Sequence, residues 1–237
     1  MTSLATKRGR GKRELLVPAD DGLPVAERVY RRLRDAIASG ELPPRGRLSE
    51  RELSAQLGVS TSPVKAALAR LEAEGMVVTQ PRRGTWVAFA PEKLSEMGLI
   101  RAALEGVVAR LAAARITEAQ LATLRGIVEE LREATEALDT ATLVEANERY
   151  HTLLVEAADN VFLANAVGAL RGYYLMTQRR MRTVPLEPRK AQAEHEAILA
   201  ALVARNGAAA EAAMRAHIAR TVETLWAEDL AKLSRKR

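Results

Sequence analysis

Residues 47–89 read RLSERELSAQLGVSTSPVKAALARLEAEGMVVTQPRRGTWVAF, and the punctuation inside this stretch decides the fold of the N-terminal third. Ser49 followed three residues later by Glu52 is a capping-box pair that starts a short helix over Glu50 to Leu57. Gly58-Val59-Ser60 is a tight connection. Ser62 then caps a second helix with Pro63 at its first position, where a missing N–H costs nothing. That helix turns Val64, Leu68 and Leu71 inward and ends near Gly75. Val77 to Thr79 and Thr85 to Phe89 read as two short strands joined by Gln80-Pro81-Arg82-Arg83-Gly84.

Upstream, Val25, Val29, Leu33 and Ile37 recur at four-residue spacing between Pro24 and Ser39, the mark of an amphipathic helix that Gly40 stops. Leu42 to Gly46 holds two prolines and a glycine and reads as a turn. Three helices followed by a β-hairpin wing over residues 23–90 make a winged helix-turn-helix. Residues 1–22 mix Lys, Arg, Gly and Asp without a sustained period and read as a basic disordered tail.

Downstream of Ala90-Pro91 the pattern turns helical throughout. Helices are expected over 92–114, 117–137, 140–157, 161–182, 188–205 and 208–233, with breaks at Arg115/Ile116, Asp139/Thr140, Asn160, Pro185 to Pro188 and Asn206-Gly207. No repeat of solenoid length is evident. The fold class that follows is mainly α, a winged helix-turn-helix joined to an all-α antiparallel six-helix bundle over residues 91–237.

Composition agrees. Hydrophobic residues make up 48% and aromatics only 3%, which favours helix over sheet. Cysteine is absent, which excludes disulfides and thiolate metal sites. No apolar run approaches a membrane span, no apolar segment follows the basic N-terminus as a secretory signal would require, and a cytoplasmic location is expected. Residues 1–90 carry 16 Lys+Arg against 10 Asp+Glu, whereas residues 91–237 carry 20 of each. The whole +6 excess therefore lies in the first third, as expected of a polyanion-binding module joined to a neutral one.

In a helix-turn-helix the second helix enters the major groove with its N-terminal side chains at base edges. Here that places Thr61, Ser62 and Lys65 on the reading face, with Arg70 further back and Arg51 at the groove edge. Arg82, Arg83 and Gly84 form a basic wing tip. Gly84 permits close backbone approach to the sugar-phosphate rail, and Arg83 is placed for the minor groove. Singly, each of these has a plainer reading as a solvated charge, a cap or a turn residue. Their co-location on the module holding the charge excess favours DNA.

The bundle contains the chain's three histidines, His151, His195 and His217. Asn147 lies four residues before His151 and so projects from the same helical face. Histidines on facing helices of a bundle are a common way to hold a transition ion. Spacing alone leaves open the alternative of three unrelated histidines.

The stretch from Val29 to Val87, with IASGELPP, RLSERELSAQLGVS, SPVKAALARLEAEGMV and RRGTWV, resembles the GntR family of bacterial transcription regulators. The resemblance implies a homodimer on a palindromic operator of double-stranded DNA, with contacts at Arg51, Thr61, Lys65 and Gly84. Thr61 and Lys65 stand where the family usually has arginine, and losing a bidentate guanine fork should cost about 1–3 kcal/mol of base discrimination per contact. Arg45-Gly46 stands where the family more often has glycine first, a change expected to shift a turn only.

The segments IRAALEGVVARLAA, NERYHTLLVEAADN and AEHEAILAALVARNGAAAEAAMRAHI resemble the FCD ligand-binding domain of the FadR subfamily. That resemblance implies a divalent transition metal (Zn, Ni or Mn) held by an Asp and three His, and a small organic acid effector bound beside it. The three His map onto His151, His195 and His217, and the Asp onto Asn147. A neutral amide leaves the ion without an anionic protein ligand, so the effector's own carboxylate or hydroxide becomes the favoured co-ligand. Glu148 is a less direct substitute, and direct bonding of the effector by metal-free imidazoles is the other outcome. Arg101 and Glu105 match the family's R-x-x-x-E element. Arg101 reads either as a clamp for the effector carboxylate or as half of an i,i+4 ion pair.

The function expected is a DNA-binding transcription regulator, a repressor by family habit, controlled by a small carboxylate at a metal-centred pocket. The alternatives are a metal-dependent helical-bundle enzyme with an accessory DNA-binding domain and an architectural DNA-binding protein. Against the enzyme, no nucleophile–base constellation is found.

Overall fold

The computed structural model describes residues 22–88, 91–182 and 187–234. The basic tail and Phe89 lie outside the described residues. In the N-terminal part, α1 (Val25–Ala38), α2 (Glu50–Leu57) and α3 (Thr61–Ala73) enclose a core of Val29, Leu33, Ile37, Leu53, Leu57, Val64, Leu68 and Leu71. Val25, which shares the expected face of α1, is exposed instead. The Ser49 side chain accepts from the Glu52 amide at 3.4 Å and caps α2, which is one half of the expected capping box. Gly58, at φ +68°, ends it in the left-handed region where glycine has no Cβ penalty.

Two local expectations need correction. The α3 helix begins at Thr61 with Ser60 as its N-cap, so Ser62 is not the cap and Pro63 occupies the third helical position. Proline is tolerated there because the first-turn amides have no intrahelical acceptor to lose. The wing is also more than a hairpin. Strands β2 (Val77–Gln80) and β3 (Gly84–Val87) pair antiparallel, and a two-residue strand β1 (Arg47–Leu48) adds to the far edge of β3, giving the order β1-β3-β2. Two residues are too few to show a period.

The C-terminal part is all helix: α4 (Pro91–Arg115), α5 (Glu118–Ala137), α6 (Thr140–Ala157), α7 (Val161–Gly168), α8 (Arg171–Met181), α9 (Pro188–Val203) and α10 (Gly207–Ser234). Its breaks are written in caps. Thr117 and Gln120 form a reciprocal capping box, Asp139 accepts the amides of Ala141 and Thr142, and Asn160 and Asn206 accept those of Leu163 and Ala209. The long helices α4 and α10 pack along each other, and Gly98 is what lets them close. A Cβ there would lie 2.3 Å from Val222 Cγ2 and 2.8 Å from the Tyr173 hydroxyl.

The expected single helix over 161–182 is two helices, so the bundle has seven rather than six among the described residues. The interruption at Ala169-Leu170 is a tertiary effect. The Gly172 amide donates to the Glu74 carbonyl at 3.2 Å, and the Ala169 carbonyl presses against Gly75, where a Cβ would meet it at 2.7 Å. The chain thus leaves helical geometry where it docks on the end of α3. Beyond that seam, Leu175, Gln178 and Arg179 of α8, with Arg182 just after it, face Arg34, Asp35 and Ala38 of α1. Among the described residues no helix is long and apolar enough to cross a membrane.

Candidate metal centre and nucleic-acid interface

Thr61, Ser62 and Lys65 are all exposed on the first turns of α3, and Arg51 is exposed on α2. Val64, Ala67, Leu68 and Leu71 are buried and hold α3 from behind. Arg70 is not free to join them. Its guanidinium lies 2.7 Å from Glu27 and 3.4 Å from Glu74, and stacks 3.6 Å from the Tyr30 ring centre. It ties α3 to α1.

At the wing tip Arg82 takes φ +64° and the Arg83 amide donates to the Gln80 carbonyl at 3.0 Å, which leaves the Arg83 side chain exposed. Gly84 has φ +107°, a conformation that L side chains rarely adopt. Sequence reading overlooked Arg47. Its guanidinium stacks 5.9 Å from the Trp86 ring centre and approaches within 3.4 Å of where a Gly84 Cβ would sit, adding a cation to the wing. A two-residue strand offers no periodicity by which the sequence could have marked it. Arg45, at φ +58°, occupies the left-handed turn position where glycine is the easier residue.

Within the bundle, α6, α9 and α10 each contribute one imidazole to a single cavity. His151, His195 and His217 are 4%, 3% and 3% exposed, and one ring nitrogen from each lies within 4.8 Å of the others. Ring centroids stand 4.5 Å apart for His195 and His217, 5.6 Å for His151 and His217, and 6.2 Å for His151 and His195. Asn147 and Arg101 line the same cavity, with Thr135, Gln192 and Arg220. Glu148 does not. It lines a separate cavity and accepts from the Gln178 amide at 2.9 Å.

What holds each ring is as informative as the rings. The Glu194 carboxylate accepts from His217 Nδ1 at 2.8 Å, and Arg220 grips the same carboxylate through Nε and, at 2.7 Å, Nη2. Glu105 Oε2 lies 2.5 Å from His151 Nδ1 in a close, off-axis contact, and its Oε1 accepts from Arg101 Nε at 2.5 Å. The Arg101 guanidinium also lies 4.3 Å from the Tyr174 ring centre. His195 bonds the Ala191 backbone and packs 4.7 Å from the Tyr150 ring, whose hydroxyl donates to the His195 carbonyl at 3.2 Å. Arg101 and Glu105 thus form the ion pair that their spacing allowed. Glu194 and Arg220 went unrecognised, because charges on a helix read as solvated.

Burial sets the protonation of this centre. It pushes His195 well below the ordinary imidazole value, helped by the neighbouring His217 and His151. Burial also lowers His217, against the opposing pull of its bond to Glu194. On Glu194 burial acts upward, but the hydrogen bonds from His217 and Arg220 outweigh it and hold the carboxyl down at about 2. Glu105 is likewise held well below the usual carboxylate range, Arg101 and His151 overcoming its burial.

The donor set fits a divalent ion. Nε2 of His151 and Nε2 of His195 are buried without a hydrogen-bond partner among the described residues, as a lone pair reserved for an ion would be. Neutral imidazoles are the protonation state an ion needs.

Comparison with known proteins places the chain. The family profile described as "Bacterial regulatory proteins, gntR family" matches residues 25–87, and the FCD domain profile matches residues 96–220. The chain is 31% identical over 207 residues to the HTH-type transcriptional repressor RspR of Escherichia coli K12, covering 85% of this chain and 89% of that one. It is 36% identical over 184 residues to the probable D-xylose utilization operon transcriptional repressor of Paenarthrobacter nicotinovorans, covering 77% and 80%. The fold is similar to that of E. coli McbR/YncC at TM-score 0.66 and 23% identity, covering 87% of this chain and 99% of that one. A transcription regulator with a helical C-terminal domain is therefore the class, and the chain belongs to the GntR family, its C-terminal part an FCD domain. The enzyme alternative finds no support, since these relatives are regulators.

Proposed function

We propose that this chain is a metabolite-responsive repressor of the FadR subfamily, acting in the cytoplasm as a homodimer on a palindromic operator. In this reading residues 23–90 hold the DNA and residues 91–237 bind the effector, the boundary falling at Ala90-Pro91. Arg51, Thr61, Ser62, Lys65, Arg83 and Gly84 meet the duplex. His151, His195 and His217, with the Asn147 amide oxygen, hold a divalent Zn, Ni or Mn ion, which supplies the positive charge that anchors a small carboxylate.

The observation that carries the reading is the convergence of three imidazoles from three helices behind a basic reading head. Electrostatics explains the choice of effector. Both arginines of the cavity wall are already paired, Arg101 with Glu105 and Arg220 with Glu194, Asn147 is neutral, and burial pushes His195 and His217 toward the neutral form. Charge selectivity therefore comes with the ion, and a carboxylate is what it favours. Arg101 serves beside the ion as a wall cation rather than as the sole clamp.

Helix α8 provides the route to the DNA. Its Met181 lines the cavity, its Tyr174 lies under Arg101, and its Gly172 amide holds the end of α3 through Glu74. An effector that binds one placement of α8 more tightly shifts the population of reading-head arrangements by that difference in affinity. For the dimer, exposed Leu99, Ile100 and Val107 on α4 and Val161 and Phe162 on α7 (Phe162 is 83% exposed) offer an apolar face to a second copy.

The test is release from a cognate operator, selected from a random-sequence library. A panel of small carboxylates is added with and without chelator. One acid releasing the operator only in the presence of ion supports the reading. Release that is indifferent to chelator favours direct bonding by the imidazoles, and no release by any acid contradicts carboxylate control.

A further inference from the structure

Glu194 sits beside His195 on α9, yet its carboxylate reaches across to α10. There it accepts the Nδ1 proton of His217 and the two-pronged grip of Arg220, three residues further along the same helix face. Both oxygens are therefore engaged, Oε2 by His217 and Arg220 and Oε1 by Arg220. Arg220 in turn approaches Glu187 at 3.7 Å, so the guanidinium is braced from two sides. The result is a chain of fixed orientations in which Arg220 locks Glu194, and Glu194 locks the His217 ring. With the proton held on Nδ1, the Nε2 lone pair of His217 is the one left for the cavity.

The geometry points to Glu194 and Arg220 as the positioning pair of this centre. They set the tautomer and rotation of His217 so that its Nε2 is presented to a divalent ion before the ion arrives. The inference rests on the metal reading above, but its first readout does not need an ion. Arg101 and Glu105 stand in the same relation to His151, though off-axis, so His217 is the better fixed of the two rings. An Arg–carboxylate–imidazole chain thus stands behind two of the three nitrogen donors.

Two measurements on E194M test this, methionine keeping the length of the side chain and removing both acceptor oxygens. In ion-free protein, nitrogen-15 spectra of the His217 ring are expected to show the Nδ1–H tautomer in the unmutated chain and a mixture or the Nε2–H tautomer in E194M. Competition of Zn²⁺ against a chromogenic chelator is expected to show roughly 10- to 100-fold weaker binding by E194M. E194Q, whose amide oxygen still accepts the Nδ1 proton, is expected to restore the tautomer and most of the affinity. An unchanged tautomer together with zinc affinity within about twofold of the unmutated chain overturns the proposal.

If the unmutated chain takes up no zinc, the metal reading fails while the tautomer spectra still decide the positioning role. Should E194M not fold, R220K keeps the charge but loses the planar fork, and a roughly two- to tenfold loss of affinity is then expected. No loss in R220K, with the tautomer retained, likewise overturns it.

Discussion

Replacing Glu105 by Met strands the Arg101 guanidinium inside the bundle, and the cost follows from the surroundings. Arg101 is 4% exposed, its Nε lies 2.5 Å from Glu105 Oε1, and its guanidinium lies 4.3 Å from the Tyr174 ring centre. With charge centres roughly 4 Å apart, the lost attraction is about 4 kcal/mol at an effective dielectric of 20. Measured removals of one partner from buried pairs cost about 3–5 kcal/mol. For a chain of this size each kcal/mol moves the melting temperature by about 2–4 °C, so E105M should melt roughly 6–20 °C lower. R101M should cost a similar amount, because it leaves a buried carboxylate.

The double variant R101M/E105M is the informative member. It removes both charges and fills the space with apolar atoms, so it should recover most of the loss and fold within about 2 kcal/mol of the unmutated chain. Urea unfolding followed by far-ultraviolet circular dichroism on all four proteins closes the cycle. The reasoning is refuted if either single variant costs less than about 1 kcal/mol, or if the double costs the sum of the singles.

Other perturbations check other parts of the account. Lys65→Ala should weaken binding to a cognate duplex by about 1–3 kcal/mol, roughly 5- to 150-fold, and binding to a random duplex much less; equal losses in paired titrations would show that Lys65 touches phosphate only. Gly98→Ala forces a Cβ against Val222 Cγ2 and the Tyr173 hydroxyl, so α4 and α10 must part. It should cost about 1–3 kcal/mol by urea titration, and no loss would mean the helices are not in close contact. Asp139 caps α6, and its bonds from the Thr142 hydroxyl and the Thr142 and Ala141 amides hold its pKa below the ordinary value. Its contribution is present above about pH 4 and is lost as pH falls through the lowered value. The melting-temperature gap between the unmutated chain and Asp139→Ala should therefore narrow in acid, and a constant gap between pH 7 and pH 3 would contradict the capping role.

Much of the architecture was legible because it is local. Ser49 with Glu52, Asp139, Asn160 and Asn206 each sit at the helix start they mark, and short-range hydrogen bonds are what a sequence displays most directly. The histidines were legible as candidates because there are only three, and because Asn147 and His151 share a helix face. What escaped is non-local. The split between α7 and α8 answers to Glu74 and Gly75, about a hundred residues away in sequence. Strand β1 exists only because β3 lies beside it. The ties of Arg70 to Glu27 and Tyr30 join residues about forty positions apart, and no spacing announces them. Glu194 and Arg220 were invisible for the same reason, since their meeting depends on how α9 packs on α10.

The most direct test of the central claim is a count of bound ions. Protein stripped with chelator is dialysed against Zn²⁺, Ni²⁺ or Mn²⁺ and its metal content measured, beside the His195→Ala variant. The account expects one ion per chain for at least one of these metals, lost or greatly weakened in the variant while its circular dichroism is unchanged. No uptake by the unmutated protein, or equal uptake by His195→Ala, would contradict it.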